Sequence, residues 1–236
     1  MIDKRFADPS AAVRDIGDGA TLMVGGFGEA GSPVELIDAL IEQGAGDLTV
    51  ITNNAGSGTT GLAALIKAGR VAKMICSYPR SADSEVFAEQ YRAGRIRLEL
   101  VPQGTLAERI RTAGAGIPAF YTPTAVGTSL AQGKPHRRFD DRECVLEHAL
   151  GADVALIKAA AADRHGNLVY SKTARNFAPL MATAAETTIA QTSVVVGLGS
   201  LDPEAVVTPG IFVDRVVLIG RSPQRLDPSG SETGWL

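Results

Sequence analysis

Residues 18–33 read Asp-Gly-Ala-Thr-Leu-Met-Val-Gly-Gly-Phe-Gly-Glu-Ala-Gly-Ser-Pro, and this stretch decides the fold. Residues 21–24 form a short apolar run typical of a buried strand, and four glycines follow within seven residues. Pro33 then opens a segment with apolar residues at helical spacing. The pattern predicts a strand, a glycine loop and a helix N-terminus. Ligands bind at such junctions in open α/β sheets, because glycines let the backbone approach an anion and the helix dipole favours negative charge.

The same alternation of strand and helix continues along the chain. Strands are predicted at residues 21–24, 48–52, 73–76, 97–101, 154–157, 168–170, 187–196 and 216–219, the last of them closing the sheet. Helices are predicted at residues 9–16, 33–43, 62–68, 83–91 and 105–112. We therefore expect an α/β fold, an open and mostly parallel sheet with helices on both faces. Residues 1–220 are expected to form one domain, and the polar residues 221–236 a flexible C-terminal tail.

Composition narrows the class of function. The 236 residues are 45% hydrophobic and carry a net charge of −3, with acidic and basic side chains interspersed, so neither a nucleic acid nor a membrane surface is an expected partner. The N-terminus lacks a signal-peptide pattern, and we expect a cytoplasmic protein. Cys76 and Cys144 have no motif around them and are expected to be free thiols. The three histidines lack ligand spacing, so no metal site is predicted.

Two further stretches differ in residue composition from the predicted strands and helices. Residues 114–134 are rich in Gly and Pro, too irregular for a helix or a central strand, and are expected to form a long ordered excursion or lid. Residues 163–167 read Asp-Arg-His-Gly-Asn and predict a turn stabilised by Asp163 and Asn167 rather than a catalytic cluster.

Polar side chains follow two of the predicted strands. Asn53 and Asn54 come directly after the strand at 48–52, and Gln103 follows the strand at 97–101. Because carboxyl ends of parallel strands share one edge of a sheet, these amides are expected to face one crevice, where Gln103 is suited to hold a carbonyl oxygen. A turn at the asparagines and a helix cap at Gln103 are the alternatives.

The order of residues 18–33, with Asp18-Gly19 followed by Gly25-Gly26-Phe27, Gly31 and Pro33, resembles the A-subunit signature of class I coenzyme A transferases. Residues 53–56, 102–111 and 119–124, together with segments between residues 202 and 217, extend the resemblance from about residue 4 to about residue 220. It implies a coenzyme A transferase-like fold and a ping-pong reaction that moves coenzyme A between carboxylates through a glutamyl thioester. That family's nucleophilic Glu lies in the B subunit, so a B-subunit partner in a heterodimer or heterotetramer is implied.

The resemblance also implies roles for the residues above. The loop would bind the coenzyme A thioester, which is a substrate, and no tightly bound cofactor is expected. Gln103 would orient the carbonyl, while Asn53, Asn54 and Arg80 would contact substrate, with Arg175 as an alternative cation. Glu29 would oppose the coenzyme's phosphates, so a structural or substrate-edge role is expected for its carboxylate. The loop residues implied in binding are Gly25, Gly26, Phe27, Gly28, Glu29, Ala30 and Gly31.

The sequence does not decide which acid accepts coenzyme A, and it leaves two alternative functions open. Residues 59–65 and 76–83 resemble the 3-oxoadipate enzymes of the family more than the acetoacetate enzymes, with succinyl-coenzyme A as donor in both. Residues 231–234 read Ser-Glu-Thr-Gly, but a flexible tail would not hold a nucleophile rigidly. A sugar-phosphate isomerase, which would need an acid and a Lys base in one site, and a ligand-sensing α/β regulator without catalysis are the rivals.

Overall fold

Eight parallel strands form the centre of the structure, a computed structural model that describes residues 2–80 and 84–220. The strands, in chain order, are β1 (Arg5–Phe6), β2 (Thr21–Val24), β3 (Leu48–Asn54), β4 (Val71–Tyr78), β5 (Arg97–Leu100), β6 (Ala119–Thr122), β7 (His136–Phe139), β8 (Arg142–His148), β9 (Ala152–Ala159), β10 (Ala161–Asp163), β11 (Leu168–Val169), β12 (Ala185–Thr192), β13 (Val195–Val196) and β14 (Arg215–Leu218). The helices are α1 (Pro9–Val13), α2 (Val34–Gln43), α3 (Gly61–Lys67), α4 (Glu85–Arg92), α5 (Gln103–Gly114) and α6 (Ala178–Thr183). The predicted tail at residues 221–236 lies outside the described residues.

The main sheet has the strand order β1-β14-β12-β9-β2-β3-β4-β5, and all its neighbours pair in parallel. The predicted open parallel sheet is confirmed. The expectation that residues 216–219 close the sheet was wrong, because β1 pairs with the outer side of β14. A strand of two residues is too short to show a period in the sequence.

Side chains alternate between the two faces of each central strand, and helices cover both faces. On β2, Leu22 and Val24 pack with α1, α2, α3 and α4, whereas Met23 packs with α5 and α6. This arrangement confirms the expected three layers. No helix within residues 2–80 and 84–220 combines the length and apolar character that crossing a bilayer requires.

The second half of the chain departs from the predicted elements in two places. The strand predicted at residues 187–196 is divided into β12 and β13, which belong to different sheets: β12 pairs with β9 and β14, whereas β13 pairs with β10. Thr192 Oγ1 bonds to the backbone of Val194 at the break. Helix α6 was not predicted. The turn at residues 163–167 is confirmed, since Asp163 Oδ1 accepts hydrogen bonds from the backbone N–H groups of His165 (2.9 Å) and Asn167 (3.1 Å).

A separate antiparallel sheet of three strands, ordered β6-β8-β7, follows helix α5. Its strand β6 lies within the excursion predicted at residues 114–134, and β7 and β8 form a hairpin in the charged residues after it. The prediction did not include this sheet, because β7 is exposed along its whole length and has no apolar alternation.

Charged side chains connect this small sheet to the main one. Lys73 Nζ lies 2.6 Å from Glu99 Oε2 and Arg109 Nη1 3.0 Å from Glu99 Oε1, so α5 is tied to β4 and β5. On β8, the buried Glu147 carboxylate receives Lys134 Nζ at 2.5 Å and lies 4.0 Å from Arg109 Nε. The small sheet is therefore held to α5 by a buried carboxylate that needs its cations.

The Glu99 carboxylate makes this network sensitive to acid. Burial raises the pKa of Glu99, but the hydrogen bonds from Lys73 and Arg109 outweigh burial, and the pKa lies below its ordinary value. A carboxyl with a lowered folded-state pKa stabilises the fold when it is ionised. That contribution is present above the unfolded-state pKa and is lost as pH falls through the folded-state pKa.

Replacement of Lys134 by Ala is expected to lower the free energy of unfolding by about 1–3 kcal/mol, because it leaves the buried Glu147 charge poorly paired. The matched control is Arg138→Ala, whose partner Asp141 is fully exposed, and it should change the free energy by less than about 0.5 kcal/mol. Urea unfolding of the two variants measures the difference. Equal midpoints would show that the Lys134–Glu147 pair does not hold the small sheet.

Candidate active site

The glycine loop lies at the point where the strand order of the main sheet reverses. From β2 the chain builds β3, β4 and β5 outward on one side, and then returns to place β9 on the other side of β2. Gly25 N donates to Leu156 O on β9 at 2.9 Å, so the loop starts in contact with the returning strand. Crevices that bind ligands in open α/β sheets lie at such switch points, outside the carboxyl ends of the strands.

The tip of the loop is a tight turn that leaves backbone donors available. Phe27 N donates to Ala30 O at 3.0 Å, which closes a two-residue turn with Gly28 and Glu29 at its centre. Gly28 has φ +61, a value that favours glycine. Within residues 2–80 and 84–220, the N–H groups of Gly28 and Glu29 meet no acceptor, and both residues are exposed. Two adjacent free donors at a turn can bind an oxyanion.

A narrow cleft separates this turn from the segment that follows β3. The glycine-loop residues on its wall are Gly25, Gly28, Glu29 and Ser32, and the facing residues include Thr52, Asn54, Gly56 and Thr60. Asn54 is therefore brought to the loop, as expected. Among the described residues, the cleft lining contains an acid, Glu29, but no Lys, which disfavours the acid-and-lysine site of a sugar-phosphate isomerase.

Asn53 and Gln103 bond to one another, but neither lies among the residues that line the cleft, since successive side chains of β3 project from opposite faces of the strand. The Asn53 side chain is buried, and its Oδ1 accepts hydrogen bonds from Ser77 Oγ at 2.7 Å and from Gln103 Nε2 at 2.8 Å. Gln103 is the first residue of α5 and is exposed, so one amide proton holds Asn53 while the rest of the amide stays accessible. Ser77, which the sequence reasoning did not assign, ties the ends of β3 and β4 to this pair.

The two candidate cations lie on opposite sides of the loop. Arg80 is exposed and lies two residues past Tyr78, the last residue of β4, which pairs with Asn54 in the sheet. Arg175 is also exposed, and its neighbours Ala174 and Asn176 contact the glycine loop. Both arginines thus lie in segments at the carboxyl edge of the sheet.

The N-terminus of α2 is less open than the sequence pattern implies. The buried Gln191, near the carboxyl end of β12, accepts a hydrogen bond from Leu36 N at 3.1 Å and donates to the Glu35 carboxylate. One backbone donor of the first turn is therefore used inside the protein, and Glu35 offsets part of the helix dipole. The sequence feature that could have pointed to this contact is a Gln inside a predicted strand.

Asn176 is a third residue, after Ser77 and Gln191, to which the sequence reasoning assigned no role. Its side chain accepts from Gly26 N at 3.1 Å and donates to Ala30 O at 2.9 Å, so it bonds to both sides of the tight turn. The sequence signal for these contacts was weak, because an Asn in a polar stretch is ordinarily a turn residue. Its long-range partners become visible only in the folded chain.

A methyl group at Gly31 is expected to be costlier than one at Gly28. Both glycines have positive φ, +76 and +61, and share that strain, but a Cβ at Gly31 would lie 2.4 Å from Ala174 O, whereas one at Gly28 meets nothing within 4 Å. Gly31→Ala should lower the free energy of unfolding by about 1–3 kcal/mol more than Gly28→Ala. Thermal or urea unfolding of the two variants measures this, and equal losses would contradict the close packing of the loop.

Comparison with known proteins agrees with this geometry. Residues 6–218 match the coenzyme A transferase family model. The A subunit of a 3-oxoadipate CoA-transferase from Acinetobacter baylyi is 59% identical over 228 residues, which cover 97% of this chain and 100% of the relative. The A subunit of a succinyl-CoA:3-ketoacid coenzyme A transferase from Xanthomonas campestris pv. campestris is 52% identical over 225 residues, covering 95% of this chain and 92% of the relative.

The fold is also found in a solved structure. The crystal structure of an acyl-CoA transferase (YdiF) apoenzyme from Escherichia coli O157:H7 matches with a TM-score of 0.83 at 24% identity, over 92% of this chain. The match covers 47% of that protein, so this chain spans about half its length. The family match over residues 6–218 and the identity to both relatives lead to one conclusion: the chain belongs to the coenzyme A transferase family.

Proposed function

We propose that this chain is the A subunit of a 3-oxoadipate CoA-transferase, which moves coenzyme A from succinyl-CoA to 3-oxoadipate with a nucleophilic Glu from a B subunit. The observation that carries the proposal is the turn at Gly28 and Glu29: these two residues line a cleft at the switch point of the sheet, and within the described part of the chain their backbone N–H groups meet no acceptor. The names of the relatives support the choice of reaction. A cytoplasmic location accords with substrates that are coenzyme A thioesters.

The chemistry needs oriented donors from this chain. When a carboxylate attacks a thioester, negative charge develops on the carbonyl oxygen, and backbone N–H groups fixed beside it stabilise that charge. Gly28 and Glu29 supply such donors. The accessible part of the Gln103 amide lies at the neighbouring strand end, where it can hold a second carbonyl oxygen. Coenzyme A enters as a substrate in this scheme, with no tightly bound cofactor.

The nucleophile has to come from the partner. Glu35 is held by Gln191, and Glu29 lies within the oxyanion-binding turn itself, where its charge would oppose the developing anion. Burial raises the pKa of Cys76 to about 12, so this thiol at the edge of the site stays protonated. A carboxylate delivered by a B subunit supplies what these groups do not.

Exposed apolar side chains support docking of the partner at the carboxyl edge of the sheet. These side chains lie at or just past the ends of five different parallel strands, on both sides of the cleft. They are Phe27, Tyr78, Leu100, Val194 and Leu218. Apolar groups exposed along one edge mark a surface for a protein partner. A B subunit packed there would reach the cleft directly.

Reconstitution tests the function. The purified chain alone should show no coenzyme A transfer, and the complex with the co-expressed B subunit should transfer coenzyme A from succinyl-CoA, with higher kcat/KM for 3-oxoadipate than for acetoacetate. Steady-state assays of the thioester products measure both. Turnover by the chain alone would show that the nucleophile does not come from a B subunit. A preference for acetoacetate would favour the alternative, a succinyl-CoA:acetoacetate transferase.

Arg80 is expected to bind the far carboxylate of a dicarboxylic acceptor. An oriented charged hydrogen bond contributes about 1.5–3 kcal/mol, so Arg80→Ala should lower kcat/KM for 3-oxoadipate by about 10- to 100-fold. Acetoacetate lacks the second carboxylate and should lose little. Arg175→Ala is the matched control, as an exposed arginine on the other side of the loop. A selective loss with Arg175→Ala instead would move the clamp to that residue, and equal losses for both acceptors would remove Arg80 from the site.

A further inference from the structure

The side chain of Asn176 joins two distant parts of the chain through five hydrogen bonds. Its Oδ1 accepts from Gly26 N at 3.1 Å and from Phe177 N at 2.7 Å. Its Nδ2 donates to Ala30 O at 2.9 Å and, at 3.1 Å each, to Thr173 O and Ala174 O. Gly26 and Ala30 are the residues on either side of the exposed segment of the loop, so one amide fixes both ends of the turn.

The surroundings hold this amide in place. Asn176 has φ +24 and ψ −119, a conformation that few non-glycine residues adopt and that persists only where packing enforces it. The next residue, Phe177, is buried in the core that also contains α5 and α6. On the other side Gly31 lies so close that a Cβ there would be 2.7 Å from Asn176 Nδ2. The strained backbone and the close approach both point to a fitted contact.

We propose that Asn176 is a positioning residue for coenzyme A transfer: it holds the turn so that the N–H groups of Gly28 and Glu29 face the thioester oxygen. This inference rests on the proposed function. Asn176 acts through the loop, because its amide is already occupied by backbone groups of Gly26 and Ala30. Donors aimed at a developing oxyanion lose most of their effect when they are misplaced by about 1 Å.

An amide is the side chain that this position requires. The site presents two N–H groups to the amide oxygen, which accepts both, and three carbonyl oxygens to Nδ2, whose two protons are shared among them. An ionised Asp of the same shape would accept from the N–H groups but repel the three carbonyls, and would add negative charge behind the oxyanion site. A protonated Asp would regain one donor, so Asn176→Asp should recover activity as pH falls.

The test uses two variants, each in complex with the B subunit. In Asn176→Gly the backbone can still adopt positive φ while all side-chain bonds are lost, so kcat should fall by about 10²-fold with KM for succinyl-CoA little changed. In Asn176→Asp the three facing carbonyl oxygens should raise the pKa of the introduced carboxyl above its ordinary value, so the activity relative to wild type at the same pH should rise as pH is lowered from about 8 to about 5.5. Circular dichroism and size-exclusion chromatography establish that each variant folds and binds its partner.

Asn167→Ala is the matched control. The Asn167 side chain also donates, to the Asp163 carboxylate at 2.7 Å, and accepts, from Gly210 N at 2.8 Å, but neither partner belongs to the glycine loop, so Asn167→Ala should leave kcat unchanged even if stability falls. A folded Asn176→Gly complex with wild-type kcat, or an Asn176→Asp profile parallel to wild type, would overturn the positioning role. Absence of transfer by the wild-type complex would instead reject the proposed function. Failure of the positioning role and failure of the proposed function therefore give different results.

Discussion

Parallel pairing of β2 with β3 on one side and with β9 on the other is the constraint on which the site depends. Leu22 pairs with Val50 on β3 and with Val154 on β9, although residues 25–151 lie between β2 and β9 in the chain. The pairing puts the glycine loop between the end of β3, with its asparagines, and the segment after β11 that contains Asn176. Both walls of the cleft and the support beneath the loop follow from the position of one four-residue strand.

Neutral amides, rather than charges, organise the carboxyl edge of the sheet. Gln103 bonds to Asn53, Gln191 bonds to the first turn of α2, and Asn176 bonds to the loop. An amide donates and accepts in the same group, so it can order backbone segments without placing a charge beside a bound anion. This chemistry suits the oriented backbone donors that the proposed function needs.

The elements that the sequence predicts are stabilised differently from those that it does not predict. Strands buried on both faces are continuous apolar runs, and the predicted strand at residues 21–24 matches β2 residue for residue. The hairpin of β7 and β8 is rich in charge and is tied down through Glu147, a contact with Lys134 and Arg109 that no local pattern reveals. The division of β12 from β13 reflects their pairing with different strands, β9 and β14 for β12 and β10 for β13, and such long-range partners have no local signal in the sequence.

The sequence by itself determined the parallel α/β class, the strand, glycine loop and helix at residues 18–43, and the polar residues Asn53, Asn54 and Gln103 at strand ends, because hydrophobic period and glycine placement are local properties. The tertiary structure alone decided that β9 lies beside β2, that Gln191 covers the start of α2, and that Asn176 holds the glycine loop. The two amide contacts join residues about 150 positions apart, and their partners are backbone groups, which look the same at every position of a sequence.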